Sequence, residues 1–168
     1  LPASIFVAPH ALPMRALFRW RHRGEERRTL TAYRHTPAMR LIRALAPSLQ
    51  VRGRGSIINV GSPVGVVGAR KPQYAASKAA LHGLTMSCAR AMGKDGVRVN
   101  LLLPGPTITR MTQDWSVQQR ENVARGSALQ RLCLPEEVAA TIAFLLGDDS
   151  SYITASVVDM TAGSMLGH

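Results

Sequence analysis

Short runs of apolar residues alternate along this chain with longer segments that carry apolar side chains at helical spacing. Four of the short runs are rich in β-branched residues or leucine, and they predict strands at residues 4–7, 56–60, 97–103 and 155–160. The longer segments predict helices at residues 37–50, 72–92, 111–125 and 135–146. Strands that alternate with helices favour parallel pairing through right-handed crossovers. The sequence therefore predicts an α/β fold of three layers, with a parallel sheet covered on both faces.

Proline, threonine and glycine mark the boundaries of these helices. Thr36 followed by Pro37 is typical of a helix start, with threonine as the N-cap and proline at the first position. Pro47 lies inside the same apolar stripe and predicts that this helix kinks or ends early. Gly93 follows the longest helical segment, at the position where a glycine commonly ends a helix. Residues 61–71, which precede that helical segment, are predicted to form a loop.

The formal net charge of +11 is concentrated in the first third of the chain. Residues 1–54 contain eleven arginines and two acidic residues, which gives +9, whereas residues 55–168 contribute +2. A basic segment of this kind can contact nucleic acid or an anionic surface. Residues 15–43 contain no recognised binding motif and offer few stacking aromatics, such as Trp20 and Tyr33. A solvated segment is therefore the favoured interpretation, and contact with nucleic acid is the alternative.

The remaining composition is typical of an ordinary one-domain enzyme. A chain of 168 residues is long enough to bury its own core. Cys88 and Cys133 are too few for a disulfide framework or a cysteine-based metal site, so we expect a reducing, cytoplasmic compartment and no metal. No apolar run approaches the roughly 18 residues that a spanning helix needs, so no membrane contact is expected.

Two residues near the start of the longest helical segment carry chemistry. Tyr74 and Lys78 are four residues apart, which places a phenol and an ammonium on the same helix face. An ammonium beside a phenol favours the ionised phenol. Such a pair can donate a proton to a carbonyl oxygen or accept one from an alcohol. Tyrosine and lysine at this spacing are also common on ordinary helix surfaces, so the surrounding motifs must decide between the two interpretations.

Two further hydroxyl groups follow predicted strands. Ser62 comes directly after the strand at 56–60, and Thr109 lies shortly after the strand at 97–103. Ligands of doubly wound sheets bind beyond the carboxyl ends of the strands. The sequence therefore predicts one crevice in which these two hydroxyls meet the pair formed by Tyr74 and Lys78.

Four sequence blocks in a fixed order resemble a known family. The blocks are GSIINVGS, YAASKAAL, GVRVNLLLPGPTITRM and PEEVAATIAFLLGDDSSYIT, and they lie between residues 38 and 163. They resemble the short-chain dehydrogenase/reductase family, and in particular its reductases of carrier-protein-linked 3-ketoacyl groups. The resemblance implies a Rossmann-like sheet and NAD(P)(H)-dependent hydride transfer between a carbonyl and an alcohol. It leaves open which small molecule is the substrate and whether the cofactor is NAD or NADP.

The resemblance also implies roles for individual residues. Tyr74 would be the general acid and base, Lys78 would favour its ionised form and bind the nicotinamide ribose, and Ser62 would polarise the substrate carbonyl. Three residues would contact the nicotinamide half of the cofactor, namely Pro104, Gly105 and Thr109. Asn100 matches a structural asparagine of the family. The helices at 37–50 and 72–93 would form a four-helix interface in a homodimer or homotetramer.

The chain departs from the family pattern in the motifs that bind the adenine and pyrophosphate of the cofactor. The glycine-rich turn after the first strand is absent, and so is the acidic or basic residue that selects NAD or NADP. The glycines at 61, 65 and 68 do not replace that turn, because they do not open directly into a helix and Pro63 lacks the N–H that a phosphate needs. The family's Asn-Asn-Ala-Gly block would fall near residues 8–11, and its catalytic asparagine near Arg34, yet neither motif is present.

These departures predict a partial domain. Residues 37–168 resemble the catalytic half of a short-chain dehydrogenase, and residues 1–36 form a diverged basic segment of the same single domain. The chain is accordingly interpreted as a truncated or diverged family member. An enzyme is the first hypothesis, and a non-catalytic remnant that keeps the oligomerisation helices is the second.

Overall fold

The computed structural model of this chain describes residues 4–7 and 35–165, which form an α/β fold. Four parallel strands make one sheet in the order β1 to β4: β1 (Ser4–Val7), β2 (Gly55–Val60), β3 (Val97–Pro104) and β4 (Val157–Met160). The five helices of the described residues are α1 (His35–Val51), α2 (Val64–Val67), α3 (Pro72–Met92), α4 (Val117–Arg125) and α5 (Pro135–Leu146). Neighbouring strands pair residue by residue without a gap, beginning with Ser4 opposite Ser56 and Gly55 opposite Val97. This arrangement confirms the predicted parallel sheet.

Helices cover both faces of the sheet, so the fold has the three layers that the sequence predicts. On one face, α1 and α3 pack over β2 and β3, where Ile57 and Val99 contact Met92. On the other face, Ile58 contacts Leu145 of α5. Neighbouring residues of β2 thus point into different layers, which explains why the strand is continuously apolar. Every helix of the described residues is too short or too polar to span a lipid bilayer.

The longest helix begins at Pro72 and ends at Met92, as predicted. Gly93, however, keeps a right-handed helical backbone and leads into one turn of 3-10 helix at Gly93–Asp95. The left-handed glycine that reverses the chain is Gly96, with φ +71°. A Cβ atom at Gly96 would lie 2.1 Å from the carbonyl oxygen of Gly53. Backbone conformation and space therefore both require glycine at this position.

The prediction that Pro47 ends the first helix early is wrong. The helix α1 runs without interruption from His35 to Val51. Pro47 lies on the exposed face of this helix, so the backbone carbonyl that loses its N–H donor can bind water. The buried neighbours Ala46 and Leu49 pack in the core below and hold the helix in place. The start at His35 also precedes the predicted cap at Thr36 by one residue.

Three further boundaries differ from the prediction for local reasons. The last strand begins at Val157 instead of residue 155, because Ala155 has a left-handed backbone with φ +54°. The predicted loop 61–71 contains the short helix α2. The helix predicted at 111–125 begins only at Val117, where the Ser116 side chain accepts a hydrogen bond from the Gln119 N–H and caps the helix. The basic segment at 15–43 lies mostly outside the described residues, as do the family blocks expected near residues 8–11 and 34.

The start of α5 is stabilised by one exposed carboxylate. Glu137 accepts a hydrogen bond from the Arg131 guanidinium (2.7 Å) and another from the Leu134 backbone N–H (2.8 Å). The Arg131 hydrogen bond, followed by the Leu134 one, lowers the pKa of Glu137 from 4.5 to about 2. The ionised carboxylate is thus favoured in the folded state, next to a helix N-terminus that also favours negative charge.

This geometry predicts how stability depends on pH. Because the pKa of Glu137 is lower in the folded chain, its contribution to stability is present above pH 4.5 and is lost as the pH falls toward 2. The midpoint of thermal unfolding should therefore be lower for Glu137→Gln at pH 6, and the difference should vanish near pH 2. The neighbouring Glu136→Gln serves as the control. An equal effect of both variants at every pH would contradict the prediction.

Candidate active site

A cavity of about 380 Å³ lies beyond the carboxyl ends of β2 and β3. Its wall is formed by residues 61–64, the side chain of Tyr74, most of residues 104–112, and Trp115. The carboxyl ends of parallel strands are where α/β folds usually bind ligands. Three hydroxyl-bearing residues that the sequence analysis singled out, Ser62, Tyr74 and Thr109, therefore line one cavity.

Ser62 is placed by the end of β2. The Gly61 N–H donates a hydrogen bond to the Leu102 carbonyl (2.8 Å), so the chain stays paired with β3 up to the residue before Ser62. A Cβ atom at Gly61 would lie 2.6 Å from the Leu103 side chain, so glycine allows this close approach. Ser62 itself is half-buried and lines the cavity.

Tyr74 and Lys78 occupy different positions around the cavity. Tyr74 lies in the first turn of α3, is half-buried, and lines the cavity directly. Lys78 is one turn further along, only 7% exposed, and its ammonium donates a hydrogen bond to the Val60 carbonyl (3.0 Å). A buried ammonium needs such acceptors, because burial of an unpaired charge is costly. The lysine thus lies behind the cavity wall and links α3 to the end of β2.

A tight turn after β3 carries Thr109 into the cavity wall. The centre of this turn is Thr112, which is 5% exposed. Its hydroxyl donates a hydrogen bond to the Thr107 carbonyl (2.9 Å) and accepts one from the Thr109 N–H (3.0 Å). Thr109 accepts a further hydrogen bond from the Met111 N–H (3.3 Å). These bonds fix the backbone of the turn, which explains why the predicted helix cannot begin at residue 111.

Sequence reasoning did not single out Thr112 and Trp115, two residues that shape this cavity. Thr112 gives no signal in a single sequence, because an isolated threonine can be exposed or buried. Trp115 lines the cavity and is half-buried, and Met111, which lines it too, is 68% exposed at the mouth. Their position after a strand-ending proline and glycine is the only sequence feature that could have indicated them. Both side chains make the mouth of the cavity apolar.

Asn100 has the structural role that the family resemblance implies. It is fully buried in β3, where its amide nitrogen donates a hydrogen bond to the Ile153 carbonyl (2.9 Å). Its side-chain oxygen accepts a hydrogen bond from the Ser156 N–H (3.1 Å). The side chain thereby holds the segment before β4 against β3 and does not line the cavity.

The two cysteines do not supply an activated thiol in the described part of the chain. Both cysteines are free thiols, and burial raises the pKa of Cys88 and of Cys133. A raised pKa keeps a thiol protonated and therefore weakly nucleophilic. No group of three side chains that could hold a metal ion occurs among the residues with described positions.

Comparison with known proteins identifies the family. A family model described as enoyl-(acyl carrier protein) reductase matches residues 23–164, which is most of the chain. The chain belongs to the short-chain dehydrogenase/reductase family. The (3R)-3-hydroxyacyl-CoA dehydrogenase of Rattus norvegicus is 44% identical over 112 residues, 66% of this chain and 43% of the relative. The 3-oxoacyl-(acyl-carrier-protein) reductase of Thermotoga maritima is 37% identical over 123 residues, 73% of this chain and 50% of the relative.

Solved structures of the short-chain dehydrogenase/reductase family share this fold. A gluconate 5-dehydrogenase from Beutenbergia cavernae, described as NAD(P)-dependent and holding NADP, superposes with a TM-score of 0.71 at 29% identity. That match covers 74% of this chain and 51% of the dehydrogenase. A betaketoacyl-ACP reductase superposes with a TM-score of 0.68 at 35% identity, covering 77% of this chain and 55% of the reductase. The chain thus spans about half the length of the relatives that it matches.

The described residues have the space and groups for the nicotinamide end of a dinucleotide. Tyr74 and Thr109 line the cavity, and Gly105 keeps the backbone compact, because a Cβ atom there would lie 3.1 Å from the Cα of Thr161. A pyrophosphate needs free backbone N–H groups at the start of a helix. The glycine-rich loop at 61–68 does not offer them in the described structure, since it contains Pro63 and opens into a helix of only four residues.

Proposed function

We propose that this chain carries the catalytic half of an NAD(P)(H)-dependent short-chain dehydrogenase/reductase that interconverts a carbonyl and an alcohol. The observation that carries the proposal is the single cavity lined by Ser62, Tyr74 and Thr109, at the carboxyl ends of β2 and β3. Family membership adds to it, because the matched relatives include dehydrogenases and reductases of 3-hydroxyacyl and 3-oxoacyl groups.

Tyr74 would move the proton in this reaction. Its phenol lines the cavity from the first turn of α3, so it can donate a hydrogen bond to a carbonyl oxygen bound there. Proton donation to that oxygen as the carbon is reduced, or proton removal from the alcohol in the reverse direction, is general acid and base catalysis. Ser62, which lines the same cavity, would hold the same oxygen and orient it. When bound, the nicotinamide supplies or accepts the hydride.

Lys78 would act through the tyrosine and the cofactor ribose. Its ammonium is buried behind the cavity wall and bonded to the Val60 carbonyl, so a positive charge is fixed close to the first turn of α3. A fixed cation would stabilise the negative charge that develops on the phenol oxygen during proton transfer. Pro104, Gly105 and Thr109 would contact the nicotinamide, since they border the cavity on the side of β3.

The cavity favours a small acyl compound over a sugar acid. None of the described residues that line it carries a charged side chain. A carboxylate such as that of gluconate would therefore meet no counter-charge, which makes its burial costly. The apolar side chains of Val64, Met111 and Trp115 instead suit the short carbon chain of a 3-oxoacyl group. We propose a short 3-oxoacyl thioester as the substrate class.

The test is substrate-dependent oxidation of reduced cofactor by the purified chain. NADPH and NADH are each supplied at millimolar concentration, because the described residues fit only part of the dinucleotide. Acetoacetyl-CoA should be reduced faster than 5-ketogluconate with at least one of the two cofactors. Absence of turnover with every combination would support the non-catalytic remnant instead.

We also propose that a second copy of the chain packs against α1 and α3. Three large apolar residues of α1 are substantially exposed, Met39 (50%) on one side of the buried stripe and Leu41 (43%) and Leu45 (39%), four residues apart, on the other. The neighbouring α3 presents small exposed residues such as Ala76 and Ala79, which allow close helix packing. Exposed apolar surface of this extent favours association.

The predicted interface can be broken by one bulky residue. Ala79→Arg should shift the chain from dimer or tetramer to monomer in sedimentation velocity, because the charged side chain enters the apolar contact. Ala139→Arg, at an exposed alanine of α5 on the other side of the sheet, should leave the helix contact intact. A monomeric unmodified chain at micromolar concentration would contradict this mode of assembly.

A further inference from the structure

The loop between β2 and α3 touches the backbone of α3 at one glycine. A Cβ atom built on Gly65 would lie 2.8 Å from the backbone nitrogen of Ala79 and 2.8 Å from the carbonyl carbon of Lys78. Contacts this short do not occur for real Cβ atoms, and backbone atoms cannot rotate away as the end of a flexible side chain can. The short helix α2 therefore approaches α3 as closely as it does only because residue 65 has no side chain.

The same glycine is bonded to the candidate catalytic serine. Its backbone N–H donates a hydrogen bond to the Ser62 carbonyl (3.0 Å), which makes residues 62–65 one tight turn. The Lys78 ammonium holds the Val60 carbonyl from the other side of the same segment. Ser62 thus lies between two contacts with α3. On one side the Lys78 ammonium holds the end of β2 through a hydrogen bond, and on the other side Gly65 packs on the backbone of Lys78.

From this geometry we propose that Gly65 is a positioning residue of the active site, a role that rests on the proposed function. It contacts neither the cavity nor a reacting atom. It sets the distance between the segment that carries Ser62 and the helix that carries Tyr74. A methyl group at residue 65 would push α2 off α3, and the tight turn would transmit that displacement to the Ser62 hydroxyl.

The backbone conformation of Gly65 makes the test selective. Residue 65 lies inside α2 and has no positive φ angle, so alanine fits the backbone and is the better helix former. Gly65→Ala therefore changes only the contact with α3. Gly83→Ala is the matched control, because it also adds a methyl group within a helix but meets no atom within 4 Å.

The experiment compares both variants with the unmodified chain in the millimolar-cofactor assay. We expect Gly65→Ala to lower kcat about 10- to 100-fold, the range for misplacement of a catalytic group by a fraction of an ångström to one ångström. KM and the far-ultraviolet circular dichroism should stay the same, and Gly83→Ala should match the unmodified chain. An unchanged kcat in folded Gly65→Ala would overturn the proposal. Loss of the folded state would also overturn it, because the contact would then serve the fold and not the site.

A second measurement separates this proposal from the proposed function. If the unmodified chain shows no turnover, the proposed function fails, and nuclear magnetic resonance still decides the geometric claim. Nuclear Overhauser contacts between the Gly65 α-protons and the Ala79 amide proton, with displaced Ser62 and Tyr74 resonances in Gly65→Ala, would support it. Missing contacts, or a Ser62 resonance that does not move, would overturn it.

Discussion

Replacement of Tyr74 by phenylalanine should abolish carbonyl reduction while leaving the fold intact. The substitution removes one hydroxyl group from a half-buried ring that lines the cavity, so the packing of α3 changes little. Ser62 and Thr109 remain at the cavity, but a neutral aliphatic hydroxyl is a much weaker acid than a phenol. Loss of a positioned general acid costs a factor of about 10² to 10⁴ in rate. We expect kcat to fall at least about 100-fold.

A matched tyrosine separates this effect from a general one. Tyr152 is fully exposed, at 102% of its reference area, and lies away from the residues that line the cavity. Tyr152→Phe should therefore keep full activity. Initial rates at saturating substrate, with circular dichroism of all three proteins, give the comparison. Full activity of Tyr74→Phe would remove the tyrosine from the mechanism and with it the main support for the assignment.

Lys78→Ala should also lose most activity, but for a different reason. The lysine does not line the cavity, and its ammonium is bonded to the Val60 carbonyl at the end of β2. Its removal takes away a fixed positive charge and leaves the carbonyl of the half-buried Val60 without this donor, so both activity and stability should decrease. Lys78→Met, which keeps the apolar stem, should restore part of the stability and none of the activity. Restored activity in Lys78→Met would show that packing alone is required.

The elements that could be predicted from the sequence are those whose burial pattern decides their structure. The segments at 72–92 and 135–146 were recoverable because each begins with proline and is followed directly by a glycine. Pro47 led to a wrong prediction because its effect depends on whether its face of the helix is exposed to water. Sequence periodicity alone does not show whether that face is exposed. Ala155 was unrecognisable because a left-handed alanine is imposed by tertiary contacts and has no local signature.

The candidate site residues could be predicted only where a sequence motif places a reactive side chain at the end of a strand or the start of a helix. Ser62, Tyr74 and Thr109 were accessible in this way, since each follows a strand or begins a helix at the same edge of the sheet. The part played by Thr112 depends on hydrogen bonds to backbone atoms three and five residues away. The closeness of Gly65 to α3 depends on how two helices meet. Such features follow from the packed structure and carry no distinctive residue pattern.

The chain by itself should bind NAD(H) and NADP(H) only weakly. A dinucleotide is held chiefly through its pyrophosphate and adenosine ribose, which need a glycine-rich turn at a helix N-terminus and a selecting residue one strand further on. The sequence contains neither motif. In the described residues the loop at 61–68 packs against α3 through Gly65 and does not form a phosphate site. We therefore expect dissociation constants above about 1 mM, which corresponds to less than about 4 kcal/mol of binding free energy.

A comparison of two ligands makes this expectation sharp. Reduced nicotinamide mononucleotide lacks the adenosine half of the dinucleotide, so it retains all the contacts that Tyr74, Gly105 and Thr109 can offer. If these residues provide the whole site, the mononucleotide and NADPH should bind with affinities within about threefold of each other, about 0.7 kcal/mol. Titration calorimetry and nicotinamide fluorescence measure both, and Thr109→Val should weaken both equally. Micromolar binding of NADPH alone would show instead that residues 1–54 build a phosphate site.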